Sequence, residues 1–174
     1  MKKLRKRFKR PKRPYDTEQL KEGKELKKSY GLRRKKEIWI AEEMVRGFRQ
    51  RARKLISVSD KEKEEILLKK LAKLGLLPKG SSLDDVLGLT VSNLLERRLE
   101  TIVFKAGMAK TTKQARQSIV HGFVRVKGRK TVFPSYIVTV EEESAIKSSF
   151  KQPKPPTRRG VAAAPEQADE GGEE

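Results

Sequence analysis

From residue 97 to residue 140 the chain carries ten lysines and arginines: Arg97, Arg98, Lys105, Lys110, Lys113, Arg116, Arg125, Lys127, Arg129 and Lys130. A single acid, Glu100, stands against them. Guanidinium and ammonium groups at this density are suited to phosphate, whose charge they neutralise and whose oxygens accept their hydrogen bonds. The apolar residues between them keep helix and then strand periodicity, so the segment reads as a folded cationic surface that meets a polyanion. Other chemistry is poorly served. One histidine, His121, and no cysteine leave no Ser-His-Asp or Cys-His arrangement to assemble. The run from Gly107 to Thr112 faintly resembles a phosphate-binding loop, but that loop needs glycine immediately before its lysine, and Ala109 precedes Lys110. No catalytic residue, metal site or cofactor is expected.

The elements that must position these cations follow from the apolar spacing. Leu95, Leu99, Ile102, Val103 and Ala106 form one stripe, which predicts a single amphipathic helix over residues 91–105, with Thr90 or Ser92 as N-cap and Gly107 at its left-handed end. Arg98, Thr101 and Lys105 share one flank of it. Thr111 with Gln114 three residues on predicts a capped second helix that ends at Gly122, with Ala115 and Ile119 inward. Lys113, Arg116 and Gln117 then lie on one exposed face, so that Arg116→Ala should weaken polyanion binding and leave folding intact. Beyond Gly122 the period becomes two: residues 123–126 alternate, Lys127-Gly128 supplies a tight turn, and residues 129–132 return. Pro134-Ser135 breaks the run, and residues 136–140 read as a last strand.

The matching residues, in order and spacing, are Arg98-Leu99-Glu100, Gly107, Thr111, Ala115-Arg116-Gln117, His121-Gly122, Val126-Lys127-Gly128 and Pro134-Ser135-Tyr136. This string resembles the RNA-binding domain named after ribosomal protein four of the small subunit. Two departures stand out: Thr112 where the bacterial branch commonly has Arg, and Lys127 where Asn is usual in the hairpin. Tyr30-Gly31-Leu32-Arg33, the helix around Trp39, Leu87-Gly88-Leu89 and the run from Leu94 to Arg98 resemble the archaeal and eukaryotic form of the protein. The resemblance covers most of residues 12–145.

It implies an α+β fold: an N-terminal helical region, then two short helices on a small antiparallel sheet (an alpha-L motif). It also implies a structural constituent of the cytoplasmic small ribosomal subunit that binds rRNA early in assembly and lines the mRNA entrance. The partners implied are small-subunit rRNA, proteins five and three of the subunit, and mRNA. The RNA contacts expected are the ten cations above with Thr111, Gln117 and His121, joined by Arg46, Arg49 and Arg53 on one helix and by Lys6, Arg7, Lys9 and Arg10 near the N-terminus. A free RNA chaperone or a binder of stalled ribosomal particles, using the same domain, is the alternative from another class.

Composition agrees. Lys+Arg number 43 against 23 Asp+Glu, a net charge of +20, with 35% hydrophobic residues. Such a chain can bury one modest core or two small ones and repels itself until a partner supplies negative charge. The lack of cysteine fits a reducing cytosol and excludes the Cys-ligated zinc of some bacterial relatives. No apolar run approaches the roughly 20 residues of a membrane span, and Tyr15-Asp16-Thr17-Glu18 stands where an export signal would need its apolar core. Four zones are expected: a basic extended arm over residues 1–14, a helical region over 15–91, the RNA-binding domain over 92–146, and a Pro-rich basic then acidic disordered tail over 147–174. In the second zone, Asp16 and Gln19 cap one helix, and Ile38, Ala41, Val45, Phe48, Ala52 and Leu55 mark the inner face of a long one. Trp39 reads as core or packing lid. Ser59 with Glu62 caps a third helix, and Ser82 with Asp85 a short one.

Overall fold

The computed structural model describes residues 6–78 and 80–149. The expectations for the first five residues of the arm and for the tail beyond Ser149 lie outside these. Three helices open the chain. α1, Thr17–Ser29, is capped by Asp16, whose carboxylate accepts from the Glu18 amide at 3.2 Å. α2, Lys35–Val58, buries Ile38, Ala41, Val45, Phe48 and Ala52 along one stripe. α3, Lys61–Lys73, adds Leu67 and Leu71. The cap of α3 is Asp60, one residue later than the spacing of Ser59 and Glu62 predicts, because Ser59 is consumed by the left-handed C-cap of α2 at φ 57°. The short α4, Leu83–Leu87, has the expected Ser82 and Asp85 capping box: the Asp85 amide donates to Ser82 Oγ at 3.4 Å and the Ser82 amide to the Asp85 carboxylate at 2.8 Å. These elements enclose a first core that ends at Leu94 and Leu95.

The single helix expected over residues 91–105 is two helices, α5 (Val91–Glu96) and α6 (Leu99–Lys105). Between them Arg98 is extended (φ −72°, ψ 143°), and the chain from Tyr136 to Val138 lies alongside. The Leu99 amide donates to the Tyr136 carbonyl at 2.8 Å and the Val138 amide to the Arg97 carbonyl at 3.0 Å. Thr101 Oγ1 donates to the Leu95 carbonyl at 2.8 Å, taking up one of the carbonyls left open at the end of α5. The apolar stripe survives the break because Leu95 belongs to the first core and Leu99 to the second. Ala106, expected on that stripe, is exposed just past the end of α6.

The second core gathers Leu99, Ile102 and Val103 of α6, Ala115 and Ile119 of α7 (Thr112–Val120), and Val124 and Val126 of β1 (Val124–Val126), with Val138 and Ile146. The sheet is antiparallel in the order β2-β1-β3, where β2 is Arg129–Lys130 and β3 is Ile146–Ser148. Arg125 pairs with Lys130 on one side and with Lys147 on the other. Residues 136–140, expected as the last strand, make only the bridge between Ile137 and Arg98. The third strand comes after α8, Val140–Glu143, a turn of helix that the acidic run at residues 141–143 caps favourably. The hairpin turn forms where expected, with Lys127 at φ 48° and Gly128 at φ 78°, the two positive angles of a type I′ turn.

Gly31 (φ 65°), next to Leu32 of the first core, closes on Thr112 and Glu100 of the second part of the chain. A Cβ there would stand 2.6 Å from Thr112 Oγ1 and 3.1 Å from Glu100 Oε1. Gly107 has a similar φ of 71° but nothing within 4 Å of such a Cβ. Gly107→Ala should therefore cost only the left-handed backbone penalty, about 1 kcal/mol, and Gly31→Ala at least about twice that. Equal losses in urea unfolding would mean that the approach of Gly31 to Thr112 is not tight.

Candidate nucleic-acid interface

The cations of the second core sort into two groups that sequence spacing does not separate. Lys110, Lys113, Gln117, His121, Arg125, Lys127, Arg129 and Lys130 are exposed. Lys113, Gln117 and His121 recur every four residues along the outer face of α7, and Thr111 caps it, accepting from the Gln114 amide at 3.2 Å. The reciprocal bond of the cap is displaced by one residue, since Gln114 Oε1 accepts from the Lys110 amide at 2.9 Å. Lys130 brings the hairpin to the same end of the helix, its side chain crossing Gly122 where a Cβ would collide with it. His121 stacks on Phe123 with ring centroids 6.2 Å apart. Surface pairs to Lys105 (Glu96, 2.9 Å) and Lys127 (Glu141, 3.9 Å) are exposed, screened by salt and open to exchange with phosphate.

Arg97, Arg98 and Arg116 turn inward. Arg97 donates to Glu143 at 2.9 Å and to the Val138 carbonyl at 3.2 Å. Arg98, expected on a helix flank, is buried because the break between α5 and α6 points it at α2. Its Nη2 donates to Glu37 Oε2 at 2.6 Å. Arg116, expected on the exposed face, reaches the same carboxylate: Nη2 to Oε1 at 3.1 Å and Nη1 to Oε2 at 3.2 Å, with Glu100 Oε2 3.3 Å away. Glu37 also accepts from the Arg34 amide at 3.3 Å, so this one carboxylate takes four hydrogen bonds from three residues. Burial works against ionisation of Glu37, but the bonds from Arg116 and Arg98 outweigh it and hold its pKa below the usual value. Glu100 is fully buried and its Oε1 has no hydrogen-bond partner among the described residues. Burial pushes its pKa from 4.5 to about 7 despite the nearby arginines, and the Glu37 charge adds to the rise.

The N-terminal cations divide similarly. Lys6, Arg7, Lys9 and Arg10 are exposed, while Phe8 between them lies 5.7 Å from Trp39 in a stacked pair, with Lys36 Nζ 5.2 Å above the Phe8 ring. Trp39 is thus a packing partner for the arm. Lys36 and Glu37 are neighbours, so the first turn of α2 holds both the arm and α7. Sequence reasoning passed over Phe8, whose only signal is being the one aromatic in a cationic run. On α2, Arg46 (2.7 Å from Glu43) and Arg53 are exposed, whereas Arg49 is half-buried and donates to the Leu89 carbonyl. Among the described residues no cluster of three or more His, Cys, Asp or Glu could hold a metal ion, and no helix is long and apolar enough to cross a membrane.

Comparison with known proteins bears on this surface directly. A family model described as S4 domain matches residues 97–144. The small ribosomal subunit protein uS4 of Saccharolobus islandicus strain L.S.2.15 / Lassen #1 is 47% identical over 163 residues, 89% of this chain and 90% of that protein. The uS4 proteins of strains M.14.25 / Kamchatka #1 and M.16.27 match to the same extent. The chain belongs to the uS4 family of small ribosomal subunit proteins. In this uS4-family chain the S4 domain match begins at Arg97, where the break between the two cores begins, and it takes in both Arg98 and Arg116 but not their partner Glu37.

Two outcomes follow from the buried cluster. Removing Arg116 strips Glu37 and Glu100 of a partner, so Arg116→Ala should destabilise the fold by about 2 to 4 kcal/mol, while Lys113→Ala on the exposed face should change stability by less than about 0.5 kcal/mol. Chemical denaturation distinguishes them, and equal small effects would place Arg116 on the surface. The raised pKa of Glu100 fixes a pH window. Protonated Glu100 favours the folded state, a contribution present below pH 4.5 and lost as pH rises toward about 7. Glu100→Gln keeps the neutral form at every pH, so its stability relative to the native chain should climb across that window and level off above it. A gap that stays constant would contradict the assignment.

Proposed function

We propose that this chain is a structural constituent of the small ribosomal subunit that binds small-subunit rRNA directly, with no catalytic role. The observation that carries the reading is 47% identity over about nine-tenths of both chains to uS4 proteins, in a molecule whose exposed cations line α7 and the hairpin. Binding is phosphate neutralisation plus fit. Lys110, Lys113, Arg125, Lys127, Arg129, Lys130 and Lys105 supply charge, while Thr111, Gln117 and His121 supply short-range hydrogen bonds whose spacing suits a folded RNA junction. Lys6, Arg7, Lys9 and Arg10 extend the contact, and Arg46 and Arg53 offer a further strip on α2. Arg97, Arg98, Arg116 and Arg49 act through the fold, holding the elements that carry the others.

In this reading residues 1–14 serve as the basic arm, 15–91 as a helical rRNA-binding region, 92–146 as the RNA-binding domain, and 147–174 as a Pro-rich basic then acidic tail whose residues 160–174 make no RNA contact. The protein joins its subunit early in assembly, lies at the mRNA entrance beside proteins five and three, and works in the cytoplasm.

Purified small subunits should contain the chain in one-to-one ratio with the rRNA. Its recovery only in free form or on stalled particles would favour an RNA chaperone. In binding assays with an rRNA junction, log affinity should fall linearly with log salt with a slope magnitude of about five or more, and Lys113→Ala or Arg129→Ala should each lower that slope by roughly one. Deleting residues 2–13 should weaken binding strongly, and deleting residues 160–174 should not weaken it. A protein that held structured and unstructured RNA equally at every salt concentration would be a generic polycation.

A further inference from the structure

α2 and α3 meet at the Ser59-Asp60 corner and leave an open groove of about 500 Å³ between them. On α2 the groove is lined by Arg51, Lys54, Leu55 and Val58, spaced i, i+3, i+4, i+7. On α3 the spacing repeats with Lys63, Ile66, Leu67 and Lys70. About two turns of one face of each helix are therefore turned to the gap.

Leu67 is buried and Leu55 half-buried, so these two form the floor. Val58 and Ile66 form the lips and are 63% and 67% exposed. An isolated exposed aliphatic residue needs no explanation, but two on facing helices above an apolar floor form a continuous apolar strip. Charge rims it. Lys63 is paired with Asp60 at 2.7 Å, while the ammonium groups of Lys54 and Lys70 have no acidic partner among the described residues.

RNA would satisfy the cations and leave the strip unused, because no aromatic ring lines the groove for a base to stack on. A protein helix satisfies both. We infer that the groove receives an amphipathic helix of a neighbouring protein, with an aliphatic stripe seated between Val58 and Ile66 and Asp or Glu residues flanking that stripe opposite Lys54 and Lys70. The third helix completes a three-helix packing that α2 and α3 leave open, the helix-in-groove mode of recognition.

The inference rests on the reading that the chain works inside the small subunit, and the test separates the two. Small subunits carrying the native chain and subunits carrying Ile66→Asp are purified and their structures determined by cryo-electron microscopy. In the native particle the groove should hold a helix of another protein, with aliphatic side chains on Val58 and Ile66 and a carboxylate within ion-pair distance of Lys54 or Lys70. In the Ile66→Asp particle the chain should still be bound to rRNA, because Ile66 is not one of the residues proposed to contact RNA, and the density of the covering helix should be lost. A native groove filled by rRNA, by residues 150–174 of the chain itself, by a second copy or by solvent overturns the inference, as does a covering helix that persists in the variant. Absence of the chain from the particles would instead refute the ribosomal reading.

Discussion

Two hydrophobic cores in one small chain need something to fix how they sit against each other, and here it is a carboxylate. Glu37 belongs to the first turn of α2, on the first core, and its oxygens are occupied by guanidinium groups of Arg98 and Arg116, on the second. Taking these charges out of water is costly, and an apolar contact of the same size could contribute as much net stability. What the ion cluster adds is direction. Three hydrogen bonds from Arg98 and Arg116 converge on this one carboxylate and require a defined geometry, so α7 is fixed relative to α2 while the Gly31 backbone closes on Thr112 beside it. Thr112, which stands where the bacterial branch commonly has Arg, is small enough to allow that closure.

The consequence for function is electrostatic. At net charge +20 the chain's cations repel one another, and the fold answers by sorting them. Those that can be neutralised internally are drawn onto Glu37, Glu100 and Glu143. The remainder stand in solvent along α7, the hairpin and the arm, where a phosphate backbone can neutralise them. The arm joins the same scaffold through Phe8, stacked on Trp39 two residues from Glu37. The first two turns of α2 thereby hold two separate cationic segments, and a change there should displace both without touching any of their exposed cations.

How much of this the sequence discloses depends on the range of the interaction. Local rules read correctly: Thr111 caps α7, Val124 and Val126 alternate inward around Arg125, Lys127-Gly128 turns the hairpin, and the stripe from Ile38 to Ala52 faces the first core. What misled was non-local. The stripe through Leu95 and Leu99 fits one helix as well as two, because nothing at Arg98 breaks a helix until the distant Tyr136 to Val138 segment pairs with it. Arg116 has the spacing of a surface residue, and its partner Glu37 lies 79 positions away in another element. β3 at Ile146–Ser148 is too short to show alternation, whereas residues 136–140, all of strand-favouring type, make only the bridge to Arg98. Of the cations, those on the helix face and hairpin were legible as exposed and the internal arginines were not, since charge type alone does not say whether a cation faces solvent or a buried carboxylate.

The central claim is that the Glu37 cluster couples the two cores into one unit. A double-mutant cycle with Glu37→Gln, Arg116→Gln and the pair, read by chemical denaturation with separate probes at Trp39 and in α7, tests it most directly. The account predicts an interaction energy of at least about 1 kcal/mol between the two positions and, in the native chain, coincident unfolding at both probes. Additive effects with two separate transitions would show that the cores fold independently and that the cluster does not hold them together.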